Sequence, residues 1–215
     1  MLDARLLQNV VDELAYEPEL DASGIRVDVR DGIATLSGTV ATCRERKLAE
    51  DAIARLRGIR GIRQQIVVDL PEAGRVSDER LEKRVTKALA WNSLVPEGAI
   101  SGLVDDGKVI LEGTVSRHGQ KVAALDCVRN LAGVRELVDR IAIVPRRARA
   151  DEGPKLEAAL RRQASVEAHA IRISINDGRA VLAGHVYDWS QRRTAERIAW
   201  AARGVHTVED RIQVR

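Results

Sequence analysis

Phenylalanine is absent from these 215 residues, and three Trp with two Tyr are the only aromatic side chains. Cores must therefore be built from Leu, Ile, Val and Ala. A sheet that reads single-stranded RNA by stacking bases has almost no rings to use. Long apolar runs are missing too: 31% of the chain is charged, and nothing approaches the ~18 consecutive apolar residues of a membrane-spanning helix. Met1 to Leu20 is interrupted by Asp3, Arg5, Asp12, Glu13, Glu17 and Glu19, whereas an export signal needs an unbroken apolar centre. As numbered, the chain reads as cytoplasmic, at most peripheral to a membrane, and as periplasmic only if a leader was removed ahead of residue 1.

Chemistry-bearing residues are also scarce. Two cysteines, Cys43 and Cys127, suit neither a disulfide framework nor a metal site. His118, His169, His185 and His206 form no close ligand pair, so no metal centre is expected. Phosphate loop, dinucleotide fingerprint and hydrolase elbow are all missing. No catalytic residue and no cofactor is expected.

What is present is one stretch written three times. Asp31-Gly32-Ile33-Ala34-Thr35-Leu36-Ser37-Gly38-Thr39-Val40 returns from Asp106 to Val115 and from Asp177 to Val186, 75 and then 71 residues on. That is the spacing of small domains rather than of solenoid repeats. From the Asp onward the copies align without a gap through 38 residues, Asp31–Val68, Asp106–Ile143 and Asp177–Val214.

Periodicity gives each copy the same elements. Leu6, Leu7, Val10, Val11 and Leu14 make a one-sided helical stripe, matched by Leu81, Val85 and Leu89 and, in a shorter form, by Leu156 and Leu160. A strand follows, with Ile25, Val27 and Val29 matched by Ile100, Gly102 and Val104, then by Ile171, Ile173 and Ile175. Asp31-Gly32, Asp106-Gly107 and Asp177-Gly178 mark hairpin turns, so these carboxylates have a structural reason to be there. The next strand puts Gly38, Gly113 and Gly184 on its apolar face, where they are expected to let a helix approach the sheet. A second helix carries Ala49, Ala52, Ile53 and Leu56, matched by Ala124, Cys127, Val128 and Leu131 and by Ala195, Ile198, Ala199 and Ala202. Gly58, Gly133 and Gly204 suit the left-handed position that ends it. A last strand closes the unit.

The expectation is an α/β chain of the α+β sandwich kind: three α-β-β-α-β modules, each with two helices on one face of a small three-stranded mixed sheet. The modules are placed at 1–70, 76–144 and 150–215, with linkers at about 71–75 and 145–149. Each copy resembles a BON domain, in the Asp-Gly hairpin, the Leu-x-Gly-x-Val strand, the Ala-rich second helix, its terminal Gly-Val or Gly-Ile and the closing strand. The resemblance implies a non-enzymatic module that binds phospholipid or attaches to membranes, with a role in envelope or osmotic stress. Most such proteins are exported, and here the chain departs from the pattern.

Charge is uneven. Ten cations meet twelve carboxylates in residues 1–70, eleven meet eleven in 71–145, and fourteen meet nine in 146–215. The basic excess belongs to the third module and to Arg146, Arg147 and Arg149 before it, which would be drawn to anionic lipid. Arg46, Lys121 and Arg192 share one offset in the first turn of the second helix, where a cation opposes the helix dipole. They read either as a lipid-phosphate site or as surface cations with carboxylate partners. Trp189 and Trp200, with Arg192 and Arg193, read either as an interfacial lipid surface or as rings packed on a neighbouring module. Trp91 is assigned to the core, as is Cys127. Gly58-Ile59-Arg60-Gly61 matches the GxxG of a KH module, but the other copies do not keep it. The expected partner is an anionic phospholipid or membrane surface. The alternative is a protein scaffold that binds itself or another protein, and nucleic acid, held through phosphates alone, comes last.

Overall fold

The computed structural model describes residues 2–144, 171–202 and 204–215. The third copy's first helix, with Leu156 and Leu160, and His169, Arg146, Arg147 and Arg149 lie outside the described residues. In the first module α1 (Leu2–Tyr16) leads to β1 (Ile25–Arg30), β2 (Ile33–Val40), α2 (Cys43–Ala54) and β3 (Gly61–Val68). The second repeats the order as α3 (Asp78–Trp91), β4 (Ile100–Asp105), β5 (Lys108–Val115), α4 (His118–Arg129) and β6 (Glu136–Ile143). The third shows β7 (Ile171–Asn176), β8 (Arg179–Val186), α5 (Trp189–Ala201) and β9 (Thr207–Val214).

Each sheet is mixed, its middle strand antiparallel to the first and parallel to the last. Strand alternation sends Ala34, Leu36, Val109, Leu111, Ala180 and Leu182 to the helix-covered face, where all are buried. The second helices bury Ala49, Ala52 and Ile53, Ala124 and Val128, and Ala195, Ile198 and Ala199, as their period requires. In module 1 a capping box starts the helix: Thr42 Oγ1 accepts from Glu45 N–H, and Glu45 accepts from Thr42 N–H.

Hairpin turns close with Asp31, Asp106 and Asp177 in the left-handed region (φ 52°, 46° and 46°), followed by Gly32, Gly107 and Gly178 at φ 76°, 71° and 78°. Two consecutive positive φ values define the type I′ turn, whose twist matches that of the strands.

Three expectations need correction. Gly38 and Gly113 do not make room for a helix. A Cβ on Gly38 or Gly113 would lie 2.1 Å from a backbone carbonyl oxygen, that of Gly24 or Ala99, just ahead of the first strand. Gly102 is the residue that admits a helix, since a Cβ there would lie 2.6 Å from Val85 of α3. Secondly, Gly58 and Gly133 are left-handed (φ 88° and 104°), but α2 ends at Ala54 and α4 at Arg129. These glycines shape the following turn, not the helix end. Finally, Trp91 is not core: it is 77% exposed. It lies two residues, about 200°, round the helix from Leu89 on the buried stripe.

Candidate functional site

The three candidate cations sit where expected, and the sheet supplies a carboxylate to two of them. Lys121 Nζ is 2.7 Å from Asp139 Oδ2 and donates to the Ile141 carbonyl at 2.9 Å. Arg192 Nε is 2.6 Å from Asp210 Oδ2. Asp139 and Asp210 also accept from the backbone N–H two residues on, Ile141 at 3.0 Å and Ile212 at 2.8 Å. Module 1 places Gln64 at this position. Its Oε1 accepts from Ile66 N–H and its Nε2 donates to the Arg46 carbonyl. One device thus ties the second helix to the last strand in every module. A lipid phosphate at Lys121 or Arg192 would have to displace a carboxylate. Arg46 has no carboxylate within 4 Å among the described residues, its Nη2 lying 3.5 Å from Cys43 Sγ.

Trp189, Trp200 and Arg193 of the third module face the other modules. Trp189 N–H donates to the Ile59 carbonyl at 2.7 Å, and the ring packs on the core shared by modules 1 and 2, with the Arg192 guanidinium 4.9 Å from its centroid. Arg193 reaches Glu50 at 3.5 Å and Asp51 at 3.3 Å on α2. Trp200 stacks on His118, the first residue of α4, with centroids 4.3 Å apart and planes 12° from parallel. Burial, then the Lys121 ammonium, hold the His118 imidazole below its usual range, against the opposing pull of Asp139. Cys43, His118 and Trp189, aligned in sequence, thus open three helices whose first residues are buried or half-buried. Cys127 is half-buried rather than core, and its thiol donates to the Ala124 carbonyl at 3.2 Å.

Sequence reasoning missed a pair of carboxylates. Asp3 accepts from the N–H groups of Asp31 and Gly32, and Asp78 from those of Asp106 and Gly107, at 2.8 to 3.2 Å. Both lie 28 residues before the turn Asp, a spacing that could have revealed them. On the other side, the N–H groups of Arg60, Arg135 and His206 donate to Gly32, Gly107 and Gly178. Arg60 in the GxxG segment therefore pins a hairpin.

Two exposed aromatic rings end the first helices of modules 1 and 2. Trp91 closes α3 with Lys87 Nζ 4.7 Å from its ring centroid, and Leu94 in the next turn is 63% exposed. Tyr16 takes the same place in module 1 and is 85% exposed, beside Asp12, Glu13, Glu17 and Glu19. Among the described residues no group of three His, Cys, Asp or Glu side chains could hold a metal, and no helix is long and apolar enough to cross a membrane.

These features define a tandem array of three modules, each with a three-stranded mixed sheet, in which the polar residues that share an offset serve turns, helix ties and module contacts. The chain belongs to the BON domain family, whose family model matches residues 2–69, 77–145 and 154–215. No curated protein matches it. Among solved structures it resembles the C-terminal domain of CdsD, the structural protein of the type III secretion system of Chlamydia trachomatis, at 16% identity over 98% of this chain and 97% of that one, with a TM-score of 0.26. The PrgH periplasmic domain matches at 14% identity over 95% and 99%, with a TM-score of 0.23.

Proposed function

We propose that this chain is a non-catalytic protein that attaches to anionic phospholipid surfaces through the tip of module 2. The observation that carries the reading is Trp91, 77% exposed beneath the Lys87 ammonium and followed by exposed Leu94. An indole with an adjoining cation suits the headgroup layer, where the ring sits among carbonyls and the ammonium beside phosphates. A Trp left in water would expose an apolar ring without return, in a chain that has few rings to spare. The equivalent Tyr16 is set among carboxylates, which an anionic surface repels. Arg146, Arg147 and Arg149 add electrostatic attraction at about 1 kcal/mol each near the surface. Trp189, Trp200 and Arg193 then hold the modules together. The physiological setting, envelope or osmotic stress, follows only from the family.

Co-sedimentation with vesicles containing or lacking anionic lipid, at low and high salt, tests the reading. Salt-sensitive binding that falls with Trp91→Ala and with Lys87→Glu is expected. Binding abolished by Arg192→Glu with Arg193→Glu but untouched by Trp91→Ala would move the lipid face to module 3. Absence of binding to every vesicle would leave the scaffold reading.

A further inference from the structure

The open face of the second sheet differs from its two counterparts. Opposite the helices, Leu103, Ile110 and Val138 lie side by side across β4, β5 and β6 in register, and Leu103 is 57% exposed. The same row reads Asp28, Thr35 and Arg63 in module 1 and Ser174, Val181 and Glu209 in module 3. Only module 2 therefore shows water an apolar row. Polar rows flank it on both sides: Ser101, Glu112 and Arg140 on one, Asp105, Lys108 and Glu136 on the other. Within them Arg140 pairs with Glu112 at 2.8 Å and Lys108 with Glu136 at 3.2 Å.

We infer that this face binds the same face of a second copy, forming a two-fold dimer. Charge decides the orientation. A two-fold axis along the apolar row turns the second sheet over and reverses its strands while keeping each strand above its own equivalent. Glu112 then lies over Lys108 of the second copy, Arg140 over Glu136 and Ser101 over Asp105, and symmetry makes each pairing twice. A two-fold axis along the strands would set Glu112 over Glu112 and Lys108 over Lys108, which like-charge repulsion forbids. Apolar rows of two sheets stacked ~10 Å apart interdigitate, as in aligned sheet packing. Three strands of six to eight residues offer a footprint of about 14 by 26 Å, roughly 700 Å² over both partners and below the ~1,200 Å² at which stable interfaces begin, so the dimer is weak and forms and dissociates with concentration. The inference is independent of lipid binding.

Sedimentation of the full chain over a concentration series, without lipid, tests it. The wild type shifts from monomer to dimer, and Leu103→Asp weakens association at least tenfold with unchanged circular dichroism. Lys108→Glu and Glu112→Lys each weaken self-association by a similar factor. Mixed in equal amounts, the two variants associate again, because each cross-pairing then joins opposite charges. A wild type that stays monomeric throughout, a dimer indifferent to Leu103→Asp, or a mixture that fails to associate would each overturn the inference.

Discussion

Replacing Gly113 with alanine separates backbone geometry from side-chain burial as the reason for the strand glycines. Gly113 has φ 147°, and a Cβ there would lie 2.1 Å from the Ala99 carbonyl oxygen and 2.9 Å from the Ile100 Cα. The backbone strain costs about 1–3 kcal/mol. The Ala99 carbonyl, which accepts from Thr114 N–H at 3.1 Å, must also move, and a lost or bent hydrogen bond adds about 1–2 kcal/mol. A module of this size is stabilised by only roughly 3–10 kcal/mol. At about 4–8 °C per kcal/mol, module 2 should melt at least about 8 °C lower. Gly119, in the first turn of α4, is the control. A Cβ there meets nothing within 4 Å, and alanine favours a helix over glycine by up to about 1 kcal/mol. Thermal unfolding followed by circular dichroism should move the two variants in opposite directions. Equal midpoints would show that neither the dihedral nor the carbonyl holds this glycine.

Trp189→Ala removes a half-buried ring from the core of modules 1 and 2 and is expected to uncouple module 3 at a cost of about 2 kcal/mol, less than a fully buried Trp. Calorimetry should then show a separate transition for the third module, and an unsplit trace would refute the contact's role. The junction of modules 2 and 3 should respond to acid. The folded His118 pKa lies below its unfolded value near 6.5, so the unfolded chain binds the proton more readily, and stability present above that value is lost as pH falls from about 6.5 through the lower folded pKa. Trp fluorescence followed from about pH 7.5 to 5 should report loosening of the Trp200 stack in the wild type but not in His118→Gln. A flat wild-type profile would sink this account.

Much of the module was legible because its signals are local. Alternation along Ile25, Val27 and Val29, the 3.6-residue period of Ala49, Ala52 and Ile53, and the Asp-Gly turns concern residues that touch or nearly touch along the chain. Where a reading depended on what lay opposite, it fared less well. Gly113 stands on an apolar face as expected, yet its neighbour is a carbonyl oxygen rather than a helix. Trp91 is apolar, but the helix phase turns it away from the stripe it follows.

The sequence by itself determined three copies of one α-β-β-α-β unit, because repetition, period and turn chemistry are written in neighbouring residues. Only the tertiary structure decided which cations are neutralised. Lys121 meets Asp139 and Arg192 meets Asp210 18 residues away, across the gap between helix and sheet. It alone decided that Trp189 and Trp200 serve module contacts while Trp91 meets water. Burial is a property of what packs on a side chain, and for these rings the packing partner belongs to another module, or to none among the described residues.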